Sequence, residues 1–241
     1  MKKWFLIAGF LVLLVTGVSI VVYWHLCSRR LRSDREGILS EAFVCPPPAK
    51  EALARWGELG YSRGCVLNGS LDGPWVAWDG GTRVLCGQYT AGVPSGTWEV
   101  WHRNGRLFRA FSCAHGKDDG LSTEWYDDGR LSARGEFVSG WKTGTWTFWD
   151  PSGARTEVLF AQGIPSADLP EVQRRPCPVG THLVGPEEFG SQDGMPLAIY
   201  RCALQGGAPH GWGLVWDVRG HRVLELTYEN GQVVSRRPIT N

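Results

Sequence analysis

Net charge is what this sequence most lacks. Its 241 residues carry 25 Lys and Arg against 24 Asp and Glu, a formal +1. Even that balance is local, because Lys2, Lys3, Arg29, Arg30 and Arg32 open the chain with no acid among them. Residues 33–241 then hold 20 basic and 24 acidic side chains, a net of −4. A mildly acidic body lacks the field that phosphate backbones require, which excludes nucleic acid as a partner. Motifs for chemistry are lacking too. There is no C-x-x-C and no H-E-x-x-H, and none of the histidines (His25, His102, His115, His182, His210, His221) has a second at metal-ligand spacing. No serine lies in a G-x-S-x-G elbow. HGKDDG, starting at His115, is not a phosphate-binding loop. Asp118-Asp119 and Asp127-Asp128 each precede glycine and read as turn residues, without the alternating ligands of a calcium loop. The sequence therefore assigns no cofactor, no metal and no enzymatic reaction.

What is abundant points elsewhere. Apolar residues make up 43% of the chain, with 32 glycines and 13 tryptophans, the composition of short strands and tight turns around a packed core. Residues 4–24 contain no charge, and at about 1.5 Å per residue they extend roughly 31 Å, the thickness of a bilayer's hydrocarbon. Trp4, Tyr23 and Trp24 flank the run where interfacial aromatics sit. A cleaved signal peptide begins the same way. Here the run is too long for one, no small-residue cleavage site precedes the arginines, and Trp24, His25 and Leu26 before Cys27 are too bulky for lipoprotein processing. The reading is an uncleaved, single-pass anchor in the inner membrane, contacting lipid through residues 4–24, after a tail at 1–3 and before a basic linker at 25–44. Orientation is contested. Positive charge is slightly denser after the span, which favours a cytoplasmic body. Six cysteines in a loop-rich body (Cys45, Cys65, Cys86, Cys113, Cys177, Cys202) favour the oxidising, extracytoplasmic side, the reading preferred here.

The strongest pattern is a repeat. GTWEVWHRNG (96–105), GLSTEWYDDG (120–129) and GTWTFWDPSG (144–153) align in strict register. Gly96, Gly120 and Gly144 recur every 24 residues, as do Trp101, Trp125 and Trp149, and Gly105, Gly129 and Gly153. Each unit reads as one strand, a Gly-x-x-x-Gly link, a second strand and a closing turn, so the glycines at 96, 105, 120, 129, 144 and 153 are expected in turns. A lone hairpin is marginal in water, so neighbours must stack. The fold class is all-β: an elongated antiparallel sheet of tandem hairpins of about 24 residues, growing one hairpin per repeat. The array occupies 45–163 behind a Cys-Pro cap. A non-repeating insert at 164–200 follows, where Pro and Gly argue against regular structure, and then a divergent terminal repeat at 201–241.

This glycine and tryptophan pattern resembles the MORN repeat family, particularly its bacterial variant, over about residues 64–163 and more loosely 200–231. The resemblance implies an interaction or scaffolding module, sometimes near membranes, and some bacterial relatives carry an antitoxin label. The chain departs from a continuous MORN array at the insert after Gly163.

A larger duplication lies beneath the repeat. Residues 65–92 parallel 202–231, and each stretch follows a Cys-Pro, at Cys45-Pro46 and Cys177-Pro178. Matched modules suggest two local disulfides, Cys45–Cys65 and Cys177–Cys202. Cys86 and Cys113 lie on first strands of different hairpins, with another strand between them. They are expected as separate thiols, Cys113 as a buried small hydrophobe. PPPAKEALARWGELG, with Leu53, Trp56 and Leu59 at three-residue spacing, reads as a short helix near 49–59 covering the sheet's first edge. Trp98 and Trp101, three apart on a strand, face opposite sides, as do Trp146 and Trp149, giving two aromatic ladders. One ladder belongs to the core. The other can stay open as a binding surface, unless long neighbours such as Arg109, Arg134 and Lys142 cover the rings. The candidate surface is Trp98, Trp101, Trp125, Trp146 and Trp149. The expected function is non-enzymatic interaction with a protein partner at the membrane, and the alternative is an envelope-facing glycan or peptidoglycan binder using the tryptophans.

Overall fold

The structure, a computed structural model, describes residues 43–56, 58–192 and 195–239. The proposed anchor at 4–24 and nearly all of the linker lie outside them. Among the described residues no helix is long and apolar enough to cross a membrane. The chain forms two compact units that meet in sequence at Gly140 and Trp141.

The first unit is an antiparallel meander of eight strands: β1 (Lys50–Trp56), β2 (Gly60–Leu67), β3 (Ser70–Asp79), β4 (Thr82–Thr90), β5 (Val93–Trp101), β6 (Leu107–Ala114), β7 (Lys117–Trp125) and β8 (Leu131–Val138). Each strand pairs with its predecessor. Two kinds of turn join them. At one end Asn68-Gly69, Ala91-Gly92 and His115-Gly116 are two-residue loops with both φ positive (51° and 84°, 52° and 73°, 52° and 76°), the geometry whose twist matches the flanking strands. At the other end Gly80-Gly81 is again a two-residue loop (φ 57° and 81°), and from β5 onward a longer loop closes when the His102 N–H donates to the Arg106 carbonyl and Gly105 N–H to His102, with Tyr126, Gly129 and Arg130 repeating the pattern. Gly105 and Gly129 are thus turn glycines, as expected.

Gly96 and Gly120 are not. Both lie inside strands, at φ of 67° and 103°, and opposite them the register slips between Cys86 and Gln88 and between Phe111 and Cys113. In each Gly-x-x-x-Gly link the first glycine closes the turn and the last forms a bulge, where positive φ lets the strand absorb extra residues. The turns also couple the repeats. Gly92 N–H donates to the Leu71 carbonyl at 3.1 Å, Gly116 to Pro94 at 3.1 Å and Gly140 to Asp118 at 2.8 Å. Each turn donor is thereby satisfied by the hairpin before it.

The expected helix near 49–59 is instead strand β1, paired with β2 from Lys50↔Val66 to Trp56↔Gly60. Leu53 and Leu59 are 56% and 63% exposed, so the three-residue spacing marks no buried stripe. Helix propensity is a weak prior, and the unpaired edge of β2 overrides it. The segment does take the sheet's first edge, as a strand carrying Lys50, Glu51 and Arg55, the charged kind of edge that discourages further pairing.

The second unit contains β9 (Trp141–Trp149), β10 (Arg155–Ala161) and the short β11 (Ile164–Pro165), antiparallel in that order. Helix α1 (Leu169–Arg174) follows, then a five-stranded antiparallel sheet of β12 (Thr181–Gln192), β13 (Met195–Leu204), β14 (Pro209–Trp216), β15 (Arg222–Glu229) and β16 (Gln232–Pro238). Gly153 closes the turn after β9 as expected, while Gly144 lies inside β9. Much of the stretch 164–200 is therefore regular, against expectation. Strand β12 accommodates its Gly185-Pro186 at one of two register slips, between Val184 and Glu187. Pro170 stands in the first turn of α1, where a missing N–H costs nothing. Ile164, Val172, Tyr200, Leu214 and Trp216, each at most 2% exposed, form one core. The Trp216 indole N–H donates to Asp168 at 2.6 Å and that of Trp212 to the Pro176 carbonyl at 3.0 Å.

Both expected disulfides are present, Cys45–Cys65 and Cys177–Cys202, with Cα separations of 5.4 and 5.6 Å. The duplication extends to geometry. In each module the proline after the first cysteine packs beside a positive-φ glycine, Pro46 against Gly73 and Pro178 against Gly211. Cys113 is free and buried. Cys86 departs from expectation, being disulfide-bonded, although β5 does separate it from Cys113.

Candidate functional site

The two sides of the first unit's sheet differ in kind. On one side the cross-strand neighbours run Trp75, Gly87, Trp98, Phe111, Ser122, Gly135. Large and small residues interdigitate along that row, so rings lie over neighbours that lack bulk. Trp75, Tyr89 and Trp98 meet with ring centroids 5.3–6.0 Å apart. Trp98 is 4% exposed and, in the second unit, Trp146 is fully buried. Both therefore leave the candidate binding surface, since neither can offer a face to a ligand.

The other side carries Trp101 and Trp125. Register places Glu99, Ala110 and Thr123 in one row, and Trp101 and Trp125 follow two residues further along on that same side. Both indoles are half-buried, while Thr97 and Leu121, at the matching position of each hairpin, are exposed. The Arg83 guanidinium lies 5.2 Å from the Trp101 ring centre and covers part of it. Trp149 occupies the same repeat position on β9 of the second unit and is also half-buried.

The core side of the middle repeat holds a feature the sequence reading missed. Arg109 is 8% exposed and Glu124 6%. The guanidinium donates to Asp118 at 2.6 Å and to the Ser122 hydroxyl at 3.1 Å, stands 3.6 Å from Glu124, and stacks over Phe111 and Phe137 at 4.2 and 5.2 Å. Asp118 is thus an ion-pairing strand residue rather than a turn residue, while Asp119 accepts from the Ser139 N–H. The signal was in the alignment. Where one repeat has Leu85, Pro94, Trp98 and Val100, the middle repeat has Arg109, Asp118, Ser122 and Glu124, a concerted exchange of an apolar set for a charged one. The indole missing at Ser122 is replaced by a guanidinium.

Chemically this cluster is engaged rather than poised. Ser122 accepts from Arg109, and burial, with Asp118 next in weight, pushes the Cys113 thiol up to about 11, so it stays protonated at neutral pH. In the second unit Lys142, 7% exposed, lies over Trp146, Phe148 and Phe160 at 4.2, 5.3 and 5.7 Å and donates to the Val218 carbonyl. Arg109 and Lys142 thus cover rings on the buried side rather than the Trp101 and Trp125 ladder they were expected to shield, and Arg134 is exposed. A cleft of about 500 Å³ near α1 is lined by Glu171, Arg175, Arg222, Glu225 and Arg237, whose charges are mutually paired. Among the described residues no group of three His, Cys, Asp or Glu side chains comes together to hold a metal.

Fold and site together define an all-β protein of tandem antiparallel hairpins, braced by local disulfides and carrying repeated tryptophans on both sides of its first sheet. No protein-family model matches the chain, and no curated protein matches its sequence.

Proposed function

We propose that this protein is a membrane-anchored, extracytoplasmic interaction module built on MORN-like repeats, with no enzymatic activity of its own. Its partner is another protein at the membrane. Neutralisation of a toxin is the specific form that the family resemblance implies. The observation that carries this reading is the half-exposed pair Trp101 and Trp125, repeated at one register beside exposed Thr97 and Leu121. Amphipathic aromatics held rigidly on strands supply contact area at little entropic cost, which makes them frequent anchors at interfaces. The disulfides suit an oxidising compartment and therefore the extracytoplasmic orientation.

The test has two parts. A topology reporter fused after Asn241 should be active only outside the cytoplasm, and cytoplasmic activity overturns the orientation. A photo-crosslinking side chain at Leu121 in intact membranes should give one discrete protein adduct that Trp125→Ala abolishes while the far-UV dichroism of the strands is retained. Retention on purified cell-wall polysaccharide, lost in the same variant, would instead establish the glycan-binding alternative.

A further inference from the structure

We propose that this protein self-associates as a two-fold dimer through the outer edge of β1, the strands of two copies pairing antiparallel about Leu53. The inference depends neither on a membrane anchor nor on a partner for Trp125.

Among the described residues β1 has one neighbour, β2. Alternate residues of a strand turn their N–H and C=O groups to the same edge, so the outer edge of β1 carries a row of backbone donors and acceptors that a further strand can take. The described chain ahead of β1 lies elsewhere. Phe43 packs on Val76, Trp78 and Cys86, with the Arg63 guanidinium 4.8 Å from its ring centre, and Pro46 packs beside Gly73. Every residue from Lys50 to Arg55 is exposed.

The sequence of β1 is its own complement. Laid antiparallel on a second copy with Leu53 at the axis, Glu51 stands opposite Arg55, Ala52 opposite Ala54, and Leu53 opposite itself. Two-fold symmetry makes the unlike pair form twice. Opposed residues share a face, so two carboxylate–guanidinium pairs flank two leucines, each 56% exposed in the single copy. Other registers lose this match. A slide of two residues sets Leu53 against Glu51 or Arg55, and a slide of four sets Glu51 against Glu51 or Arg55 against Arg55. Parallel pairing in register sets like against like throughout. The charges that discourage indiscriminate pairing thus select one partner and one register.

The charges are also held in place. Arg63 donates to both Glu51 oxygens at 2.7 and 3.0 Å, which fixes the carboxylate and leaves it lone pairs for a second guanidinium. Arg55 lies over the Tyr61 ring at 5.6 Å, on the face it shares with Glu51. Register carries that face from Leu53 through Arg63 and Val76 to Glu99, the side of Trp101 and Trp125. A dimer of this kind presents both copies' Trp101 and Trp125 on one side of a continuous sheet.

The experiment uses the full chain in detergent. Sedimentation should give a protein mass of two chains. Arg55→Glu sets like charges together at both symmetry-related pairs and should weaken association about tenfold or more, with the far-UV dichroism of the strands retained. Leu53→Cys, oxidised in air with copper phenanthroline, should yield a reducible dimer joined through position 53, since directly opposed Cα atoms lie about 4.5–5.5 Å apart. Leu121→Cys, exposed elsewhere in the sheet, should stay uncrosslinked. The crosslink decides alone should Arg55→Glu fail to fold. A monomeric wild-type chain at micromolar concentration would overturn the proposal. So would a dimer that Arg55→Glu leaves intact, or equal crosslinking through positions 53 and 121.

Discussion

The indole of Trp98 lies against Gly87 on the neighbouring strand so closely that a β-carbon at position 87 would sit 2.1 Å from its Cδ2. The contact fixes both residues, because the ring fills the volume the glycine leaves open. Gly87→Ala should therefore destabilise the protein by about 3 kcal/mol, the upper range for overpacking in a filled core. Gly206→Ala is the control, since nothing lies within 4 Å of a β-carbon there and its φ is not positive. It should change stability by no more than about 0.5 kcal/mol. Urea unfolding of both variants checks the pair, and equal effects would refute the packing argument.

The middle repeat should respond differently. Arg109→Met leaves Asp118 and Glu124 without their guanidinium in a buried setting, so a loss of about 3–5 kcal/mol is expected. Exchanging the whole set for its neighbour's residues should recover that stability. The combined variant is Arg109→Leu, Phe111→Gly, Asp118→Pro, Ser122→Trp and Glu124→Val. Removing the Phe111 ring leaves room for the new indole, as Gly87 leaves room for Trp98. Denaturant titrations giving a combined variant weaker than Arg109→Met would show that the two sets are not interchangeable.

How much of this was legible follows from what a single sequence encodes locally. The hairpin period was legible because a turn glycine and a core tryptophan each act within one unit, and the local disulfides were legible because each cysteine pair sits in a repeated Cys-Pro module. The bulges at Gly96 and Gly120 were not, since a glycine with positive φ looks the same whether it closes a turn or interrupts a ladder. Strand β1 was hidden because its sequence favours a helix and its pairing partner is supplied by β2. The Arg109 cluster was hidden for a third reason. Its residues, spread from 109 to 124, meet only when strands pair, and each alone resembles an ordinary surface charge.

The two-residue turns offer a gain in stability. Among the described residues, four of the six non-glycine residues at positive φ are not asparagine: Ala91, His115, Ser139 and Gln162. An L-residue other than asparagine or aspartate is disfavoured there by roughly 1 kcal/mol. Ala91→Asn, at φ 52°, should stabilise by about 0.5–1 kcal/mol, and Ser139→Asn by a similar amount. The reference positions Asn68 and Asn230 already carry the favoured residue, so Asn68→Ala should cost what Ala91→Asn gains. Thermal melts of the three variants check the sign in each direction.

Asp72 supplies the pH dependence. Its side chain is fully buried, and neither carboxylate oxygen has a hydrogen-bond partner. Burial pushes its pKa up to about 6 from an ordinary 3.8. The sign follows from proton counting. Between those two values the folded protein binds a proton that the unfolded chain has released, so this residue makes stability fall as pH rises through the window. Above about pH 6 the folded state carries a buried, unpartnered negative charge; below about pH 4 both states are neutral there. Asp72→Asn removes that charge with little change of shape. It should raise the melting temperature by several degrees at about pH 8 and leave it nearly unchanged at about pH 4. A variant less stable than wild type at the higher pH would mean that the carboxylate is held by a favourable partner, contrary to the isolation described here.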